Sequence, residues 1–197
     1  FTTSANLVSS SVLAGADDDS LVFSATLGSA SRIDGDAGDD TMVFNSSISG
    51  AAVMGGNNAD SIQFNTITLG GGATVAGGGA SDIFSAAGDL VISTGGVSFW
   101  SGAGDDTFSF TSVTNGGGTA YFWNEAGNDS IVIGGAVSTA SSGAPLFFGV
   151  TSGASMNISF LSGSIADAAT ATFGAGTMSS SWAVHDVNVS YGFGSTM

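Results

Sequence analysis

The chain repeats one short acidic motif six times, with an aspartate every 20 to 24 residues through its first two thirds. The recurring aspartates, called the aspartate row below, are Asp19, Asp40, Asp60, Asp82, Asp106 and Asp129. Self-similarity at a fixed period in this range is typical of solenoids, in which each repeat forms one coil and packs on its neighbours. Because coils stack, the six carboxylates are expected to stack as well.

Apolar residues recur at fixed offsets from each aspartate and indicate two short strands per repeat. Two residues after the aspartate stand Leu21, Met42, Ile62, Phe84, Phe108 and Ile131. Four residues after it stand Phe23, Phe44, Phe64, Ala86, Phe110 and Ile133, and seven before it Val12, Ile33, Val53, Val75, Phe99 and Phe122. Apolar residues two apart are the pattern of a half-buried strand, and glycine, asparagine and aspartate suit the turn between strands. Each repeat is therefore predicted to contain a strand, an acidic turn, a second strand and a neutral turn.

This pattern predicts an all-β protein, a β-roll-like parallel β-solenoid of about six coils. A propeller blade needs roughly 40–45 residues, which is about twice this period. The chain has 32 glycines and one proline among 197 residues, and no long stretch has the period of an amphipathic helix. Beyond residue 135 the aspartate period fails, although alternating apolar segments continue. We expect residues 1–135 to form the solenoid with its acidic turns, and residues 136–197 to form a C-terminal β cap, small sheet or assembly region.

The net charge of −15, with a single arginine and no lysine, restricts the partners of the chain. Nucleic acid and anionic lipid both require a basic face, and no apolar run is long enough to span a membrane. Carboxylates on coils about 4.8 Å apart repel by roughly 1 kcal/mol per pair even in water. A hard cation is the natural counterion, and oxygen ligands at about 2.3–2.6 Å are those that calcium takes.

The acidic turns resemble the calcium-binding nonapeptide repeat of RTX proteins, whose pattern is G-G-x-G-x-D-x-U-x. Residues 33–42 read IDGDAGDDTM and residues 99–108 read FWSGAGDDTF, and the resemblance covers about residues 12–135. It implies a parallel β-roll with Ca2+ in the turns between coils, held by aspartate carboxylates and backbone carbonyls. The family repeats every nine residues and has calcium turns on both edges, whereas this coil is longer and acidic on one edge.

The resemblance also implies a set of calcium ligands. The candidates are Asp40, Asp60, Asp82, Asp106 and Asp129, with Asp19 opening the row and Asp36, Asp39 and Asp105 crowded beside it. The alternative is that these aspartates stabilise their turns by accepting backbone N–H bonds. That alternative is strongest for Asp60 and Asp82, whose turns carry one acid each.

The sequence offers little for catalysis. The single histidine, His185, adjoins Asp186 in an alternating segment, where neighbouring side chains point to opposite faces. Zinc is improbable with one histidine and no cysteine. Trp100, Tyr121 and Trp123 are candidates for a sugar-stacking patch or for packing along the coils. We therefore expect a protein that is not an enzyme.

The favoured function is an extracellular structural protein that self-assembles into a surface layer, sheath or filament at the cell surface, ordered by calcium. Its expected partners are further copies of itself, joined through terminal strands, and a cell-surface polysaccharide. The alternatives are a calcium-binding module of a secreted enzyme or toxin, and a surface adhesin.

Overall fold

The computed structural model describes residues 1–65, 67–139, 146–151, 154–161, 170–173, 176–182, 188–191 and 195–196. These residues form strands and turns and contain no helix. The strands are β1 (Thr2–Thr3), β2 (Ser11–Ala16), β3 (Ser20–Phe23), β4 (Arg32–Ala37), β5 (Thr41–Phe44), β6 (Ile48–Ser49), β7 (Ala52–Asn57), β8 (Ser61–Phe64), β9 (Thr68–Gly70), β10 (Ala73–Gly79), β11 (Ile83–Ile92), β12 (Val97–Ala103), β13 (Thr107–Asn115), β14 (Ala120–Asn124), β15 (Asn128–Ile133), β16 (Val137–Thr139), β17 (Leu146–Val150), β18 (Ser155–Phe160), β19 (Thr170–Phe173), β20 (Gly176–Trp182), β21 (Asn188–Tyr191) and β22 (Ser195–Thr196).

The strands build a parallel β-solenoid, which confirms the predicted fold class. One sheet runs β2, β4, β7, β10, β12, β14, β17, β19, β21, and the other runs β1, β3, β5, β8, β11, β13, β15, β18, β20, β22 along its main path. Every pairing is parallel. A coil consists of one strand from each sheet, joined by the acidic turn on one edge and by a neutral segment on the other.

The three predicted apolar columns face the interior. Phe44 pairs in register with Phe23 on one side and Phe64 on the other. The ring centroids of Phe23 and Phe44 lie 5.0 Å apart, and those of Phe44 and Phe64 lie 5.8 Å apart. From the fourth coil onward Phe84, Phe99 and Phe108 continue the aromatic core. The phenylalanines of these columns therefore stack along the interior of the solenoid.

A further inward-facing column lies on the neutral edge, where the sequence predicted only a turn. Leu27, Ile48, Leu69 and Ile92 pair in register there and are almost fully buried. Their strands are short, since β6 and β9 have two and three residues, but β11 and β13 continue around the corner into this segment. The neutral edge of each coil is thus closed by apolar side chains, and the acidic turn forms its polar edge.

The parallel pairing of strands continues beyond residue 135. Strand β17 pairs with β14, and β18 pairs with β15, both in parallel. Residues 155–160 therefore add a coil that has no aspartate in the row, because Met156 pairs with Asp129. Among the described residues there is no helix long and apolar enough to cross a membrane.

Candidate functional site

Five members of the aspartate row lie inside the solenoid and are called the buried aspartates below. Asp40, Asp60, Asp82, Asp106 and Asp129 are each only 1–2% exposed. They follow the acidic turn, and the first four immediately precede a strand of the second sheet, whereas Asp129 is the second residue of β15. Asp19, which opens the row, is half-buried. The structure thus brings all six aspartates into one stack, as the sequence predicted.

One carboxylate oxygen of every buried aspartate joins two coils. The backbone N–H of Asp19 donates to Oδ1 of Asp40 at 2.8 Å, and that of Asp40 donates to Oδ1 of Asp60 at 2.8 Å. The same bond recurs for the next three coils at 2.7–3.0 Å. The Oδ1 atoms therefore accept backbone N–H bonds, as the alternative interpretation expected, but the donors belong to the preceding coil and not to the same turn.

The turn before each buried aspartate needs a left-handed backbone at a fixed position. The residue two places before the aspartate has φ of +133° at Gly38, +129° at Gly104 and +110° at Gly127. Asn58 and Ala80 occupy the same place in other coils with φ of +72° and +68°. Glycine adopts this conformation without steric cost and asparagine tolerates it, which explains the glycine-rich motif.

The second carboxylate oxygen of every buried aspartate has no hydrogen-bond partner. The Oδ2 atoms of Asp40, Asp60, Asp82, Asp106 and Asp129 are all buried and unpaired. A buried polar atom without a partner costs about 1–3 kcal/mol, and more when it is charged. Five such atoms in one row are too regular to be a local packing defect. Their regular spacing indicates a common kind of partner, and the candidates are a proton, a cation or a water molecule.

Three glycines form the inner wall beside these oxygens. A Cβ atom added to Gly35 would lie 2.2 Å from Oδ2 of Asp40 and 2.2 Å from the carbonyl oxygen of Gly55 in the next coil. At Gly77 the corresponding distances are 2.1 Å to Oδ2 of Asp82 and 2.5 Å to the carbonyl oxygen of Ser101. The missing side chains therefore leave space in which a carboxylate oxygen and a carbonyl oxygen of the next coil converge. Both atoms are acceptors, so the donor set suits a hard cation.

Burial disfavours the charged form of these carboxyls. It raises the pKa of Asp60 to about 6, that of Asp82 to about 8 and that of Asp106 to about 6. The pKa values of Asp40 and Asp129 are also raised, with burial again the main cause. The backbone N–H that each carboxylate accepts opposes this rise, and neighbouring acids add to it. Without a cation, protons are the partners that the unpaired oxygens take.

The remaining ligand candidates lie outside this row, on the exposed side of the turn. Asp39 and Asp105 are exposed, and each accepts a backbone N–H of the next coil through Oδ1, from Ala59 at 3.1 Å and from Asn128 at 2.9 Å. Asp36 is exposed as well. The outer hydrogen bonds point along the solenoid in the direction opposite to the inner ones. Each of these acidic turns is consequently hydrogen-bonded to the turns of the coils before and after it.

Two buried polar side chains near the end of the row were missed by the sequence analysis. Ser101 and Asn124 occupy the position that Gly35 and Gly77 hold in earlier coils, and both are 0% exposed. Ser101 Oγ and Asn124 Oδ1 have no hydrogen-bond partner. The signal was available, because a residue two places after an inward-facing Phe99 or Phe122 must also face inward.

The aromatic residues on the outer face pack against one another. The rings of Trp100 and Trp123 are stacked with centroids 5.8 Å apart, and those of Tyr121 and Phe147 with centroids 5.1 Å apart. Because each ring covers the face of its neighbour, these contacts favour packing over a sugar-stacking patch. His185 and Asp186 lie outside the described residues.

Comparison with known proteins adds no relative: no family model matches the chain, and no curated protein or solved structure matches it. Within the described ranges, no three histidine, cysteine, aspartate or glutamate side chains converge as a metal-binding group. At Asp40, Asp60 and Asp82 the structure instead brings one carboxylate oxygen and one carbonyl oxygen of the next coil against the same glycine. The fold and this site define an all-β parallel β-solenoid with a stacked, buried aspartate row, an arrangement compatible with a β-roll repeat.

Proposed function

We propose that the chain is an extracellular structural protein of the RTX-like β-roll type, which self-assembles into a surface layer, sheath or filament and is ordered by calcium at its acidic turns. The observation that carries the proposal is the row of five unpaired, buried Oδ2 atoms along a parallel solenoid. A chain with sixteen acids and one arginine has no internal cation that could neutralise this row.

Calcium is the cation that fits the donor set best. Asp40, Asp60 and Asp82 would each supply a carboxylate oxygen, and Gly55, Gly77 and Ser101 of the following coils would each add a carbonyl oxygen. When bound, the ion supplies positive charge that links consecutive coils. Extracellular calcium modules bind at about 10⁻⁴–10⁻³ M, so a site of this kind fills outside the cell and empties inside it.

Self-assembly is proposed from the regularity of the sheets. Every pairing is parallel, so each coil offers its next neighbour the same two edges. Such edges accept further strands, and proteins that avoid this usually protect them with lysine, proline or charge. The chain has no lysine and one proline, and its only arginine, Arg32, is paired with Asp34. A head-to-tail contact that does not close gives a filament or sheet.

Electron microscopy and sedimentation of the purified chain, with calcium and with a chelator, test the proposal. Polymers or ordered sheets are expected with calcium, and smaller species with the chelator. Deleting residues 140–197 is expected to leave a calcium-responsive monomer. A full-length chain that stays monomeric at high concentration in millimolar calcium would contradict the structural role.

A further inference from the structure

The last two steps of the aspartate row differ from the first three in one respect. In the coils of Asp40, Asp60 and Asp82 the wall beside the carboxylate is a glycine, which contributes no side-chain atom. In the coils of Asp106 and Asp129 the same position holds Ser101 and Asn124. The end of the row therefore contains two additional side-chain oxygens.

These two oxygens are buried without partners, as the carboxylate oxygens beside them are. Ser101 Oγ, Asn124 Oδ1 and the Oδ2 atoms of Asp106 and Asp129 are all unpaired. The orientation of the Asn124 amide follows from its other atom, because Nδ2 donates to the carbonyl oxygen of Ser155 at 2.6 Å. The amide N–H group thus donates to the next coil, and the amide oxygen has no hydrogen-bond partner.

Ser101 lies beside two carboxylates from consecutive coils. In register it takes the place that Gly77 holds beside Oδ2 of Asp82, and its strand β12 pairs with β14, which carries Asn124 into the coil of Asp129. Asp106 and Asp129 are themselves joined by the backbone N–H of Asp106, which donates to Oδ1 of Asp129 at 3.0 Å. The hydroxyl and both Oδ2 atoms consequently belong to one small region between two coils.

We propose that Asp106, Asp129 and Ser101, with Asn124 Oδ1 in the adjoining wall, form the strongest cation site of the row and take the first hard divalent cation. The inference rests on the proposed calcium role. Calcium takes six to eight oxygen ligands, so a step with more oxygens binds it more tightly than one with a single carboxylate and a carbonyl. Two acids alone do not make a metal site, and the serine hydroxyl and asparagine amide complete the set.

Terbium luminescence excited through tryptophan is a local probe of this site. Trp100 and Trp123 directly precede Ser101 and Asn124 in sequence, and their strands carry both side chains. Titration of the full chain with Tb3+ is expected to give an early, tight luminescent event that calcium reverses. The event reports on the end of the row, because Asp40 and Asp60 belong to coils that contain no tryptophan.

Four variants separate the alternatives, each checked for retained β-structure by circular dichroism. Ser101→Ala is expected to weaken the first event roughly ten-fold or more, as loss of groups around a metal does. Asp129→Asn is expected to abolish it, whereas the matched control Asp18→Asn, at an exposed carboxylate outside the row, leaves it unchanged. Ser101→Gly, which converts this step to the glycine type, is expected to weaken the event as Ser101→Ala does.

The outcomes distinguish this inference from the proposed function. Wild-type affinity in Ser101→Ala, or loss of the first event in Asp18→Asn, overturns the assignment of the strongest site while calcium binding stands. Tighter binding in Ser101→Gly also overturns it, because the serine would then be excluding the ion. If the wild-type chain binds neither Tb3+ nor calcium, the calcium role itself fails and the inference with it.

Discussion

Two columns of side chains run side by side through the same interior, one aromatic and one acidic. Phe23, Phe44 and Phe64 stack in register, as do Asp40 and Asp60. The aromatic column is complete in itself, because burial of apolar surface is favourable whatever the solution contains. The acidic column leaves one oxygen of each carboxylate unpaired. The first column therefore stabilises the solenoid unconditionally, and the second makes its stability depend on protons or cations.

The largest expected effect is on the aromatic column. Phe44→Ala should lower the free energy of unfolding by about 3–5 kcal/mol, as large-to-small core substitutions do. The loss should be similar with calcium and with a chelator, because Phe44 packs against the rings of Phe23 and Phe64 and is not part of the aspartate row. Denaturant unfolding measures it, with Val43→Ala, on the outward side of the same strand, as the control. A loss below about 1 kcal/mol would contradict the packing described here.

A smaller effect is expected from filling the wall of the acidic column. Gly55→Ala would place a Cβ 2.3 Å from Oδ2 of Asp60 and 2.6 Å from the carbonyl oxygen of Gly77, so one of them must move. We expect a loss of roughly 1–3 kcal/mol, typical of overpacking, together with a weaker response to calcium. Gly79→Ala is the matched control, since its nearest contacts are at 4.0 Å. If the two substitutions lowered stability and the response to calcium equally, the glycines beside the carboxylates would have no special role.

The pH dependence of the metal-free chain sharpens the comparison further. The folded-state pKa of Asp82 is raised to about 8, and those of Asp60 and Asp106 to about 6, from 3.8. The folded state therefore binds protons more tightly than the unfolded state. The resulting stability is fully present below pH 3.8 and is lost as the pH rises through about 6 and then about 8. Thermal unfolding in chelator should show a falling midpoint between pH 5 and pH 8.

Asp82→Asn is expected to give the smallest change in the stability of the chain at low pH. The amide keeps an oxygen for the backbone N–H of Asp60 and adds a donor where the protonated carboxyl had one. Stability at pH 5 should change by about 1 kcal/mol or less, and the decline above pH 6 should be shallower than in the wild type. Asp18→Asn, on the exposed side of the turn, is the control. An unchanged decline in Asp82→Asn would show that other groups cause it.

The sequence predicted those parts of the fold that repeat. Period and alternation indicated the parallel solenoid and the inward-facing phenylalanines, because each of these features recurs at a fixed offset from an aspartate. The column of Leu27, Ile48 and Leu69 was missed, since its strands are two or three residues long and lie among glycines that favour turns. Short pairings of this kind are fixed by stacking on neighbouring coils and leave little local pattern.

The candidate site was predicted in its positions but not in its geometry. Spacing placed the carboxylates in one row, but it could not show that one oxygen of each would be hydrogen-bonded and the other unpaired inside the coil. That division depends on the register between coils, which a single repeat does not encode. Ser101 and Asn124 lie five residues before the aspartates and outside the acidic motif, although the inward phase of Phe99 and Phe122 extends to them.

The central claim is that the buried carboxylates are completed by a cation, and the calcium dependence of thermal unfolding near pH 8 tests it most directly. At this pH Asp60 and Asp106, with pKa values of about 6, are ionised and Asp82, with a pKa of about 8, is partly ionised, so calcium has scope to stabilise the coils. The account predicts a midpoint that rises with calcium concentration and falls again in excess chelator. Superimposable unfolding curves in calcium and in chelator, with no metal in elemental analysis, would contradict it.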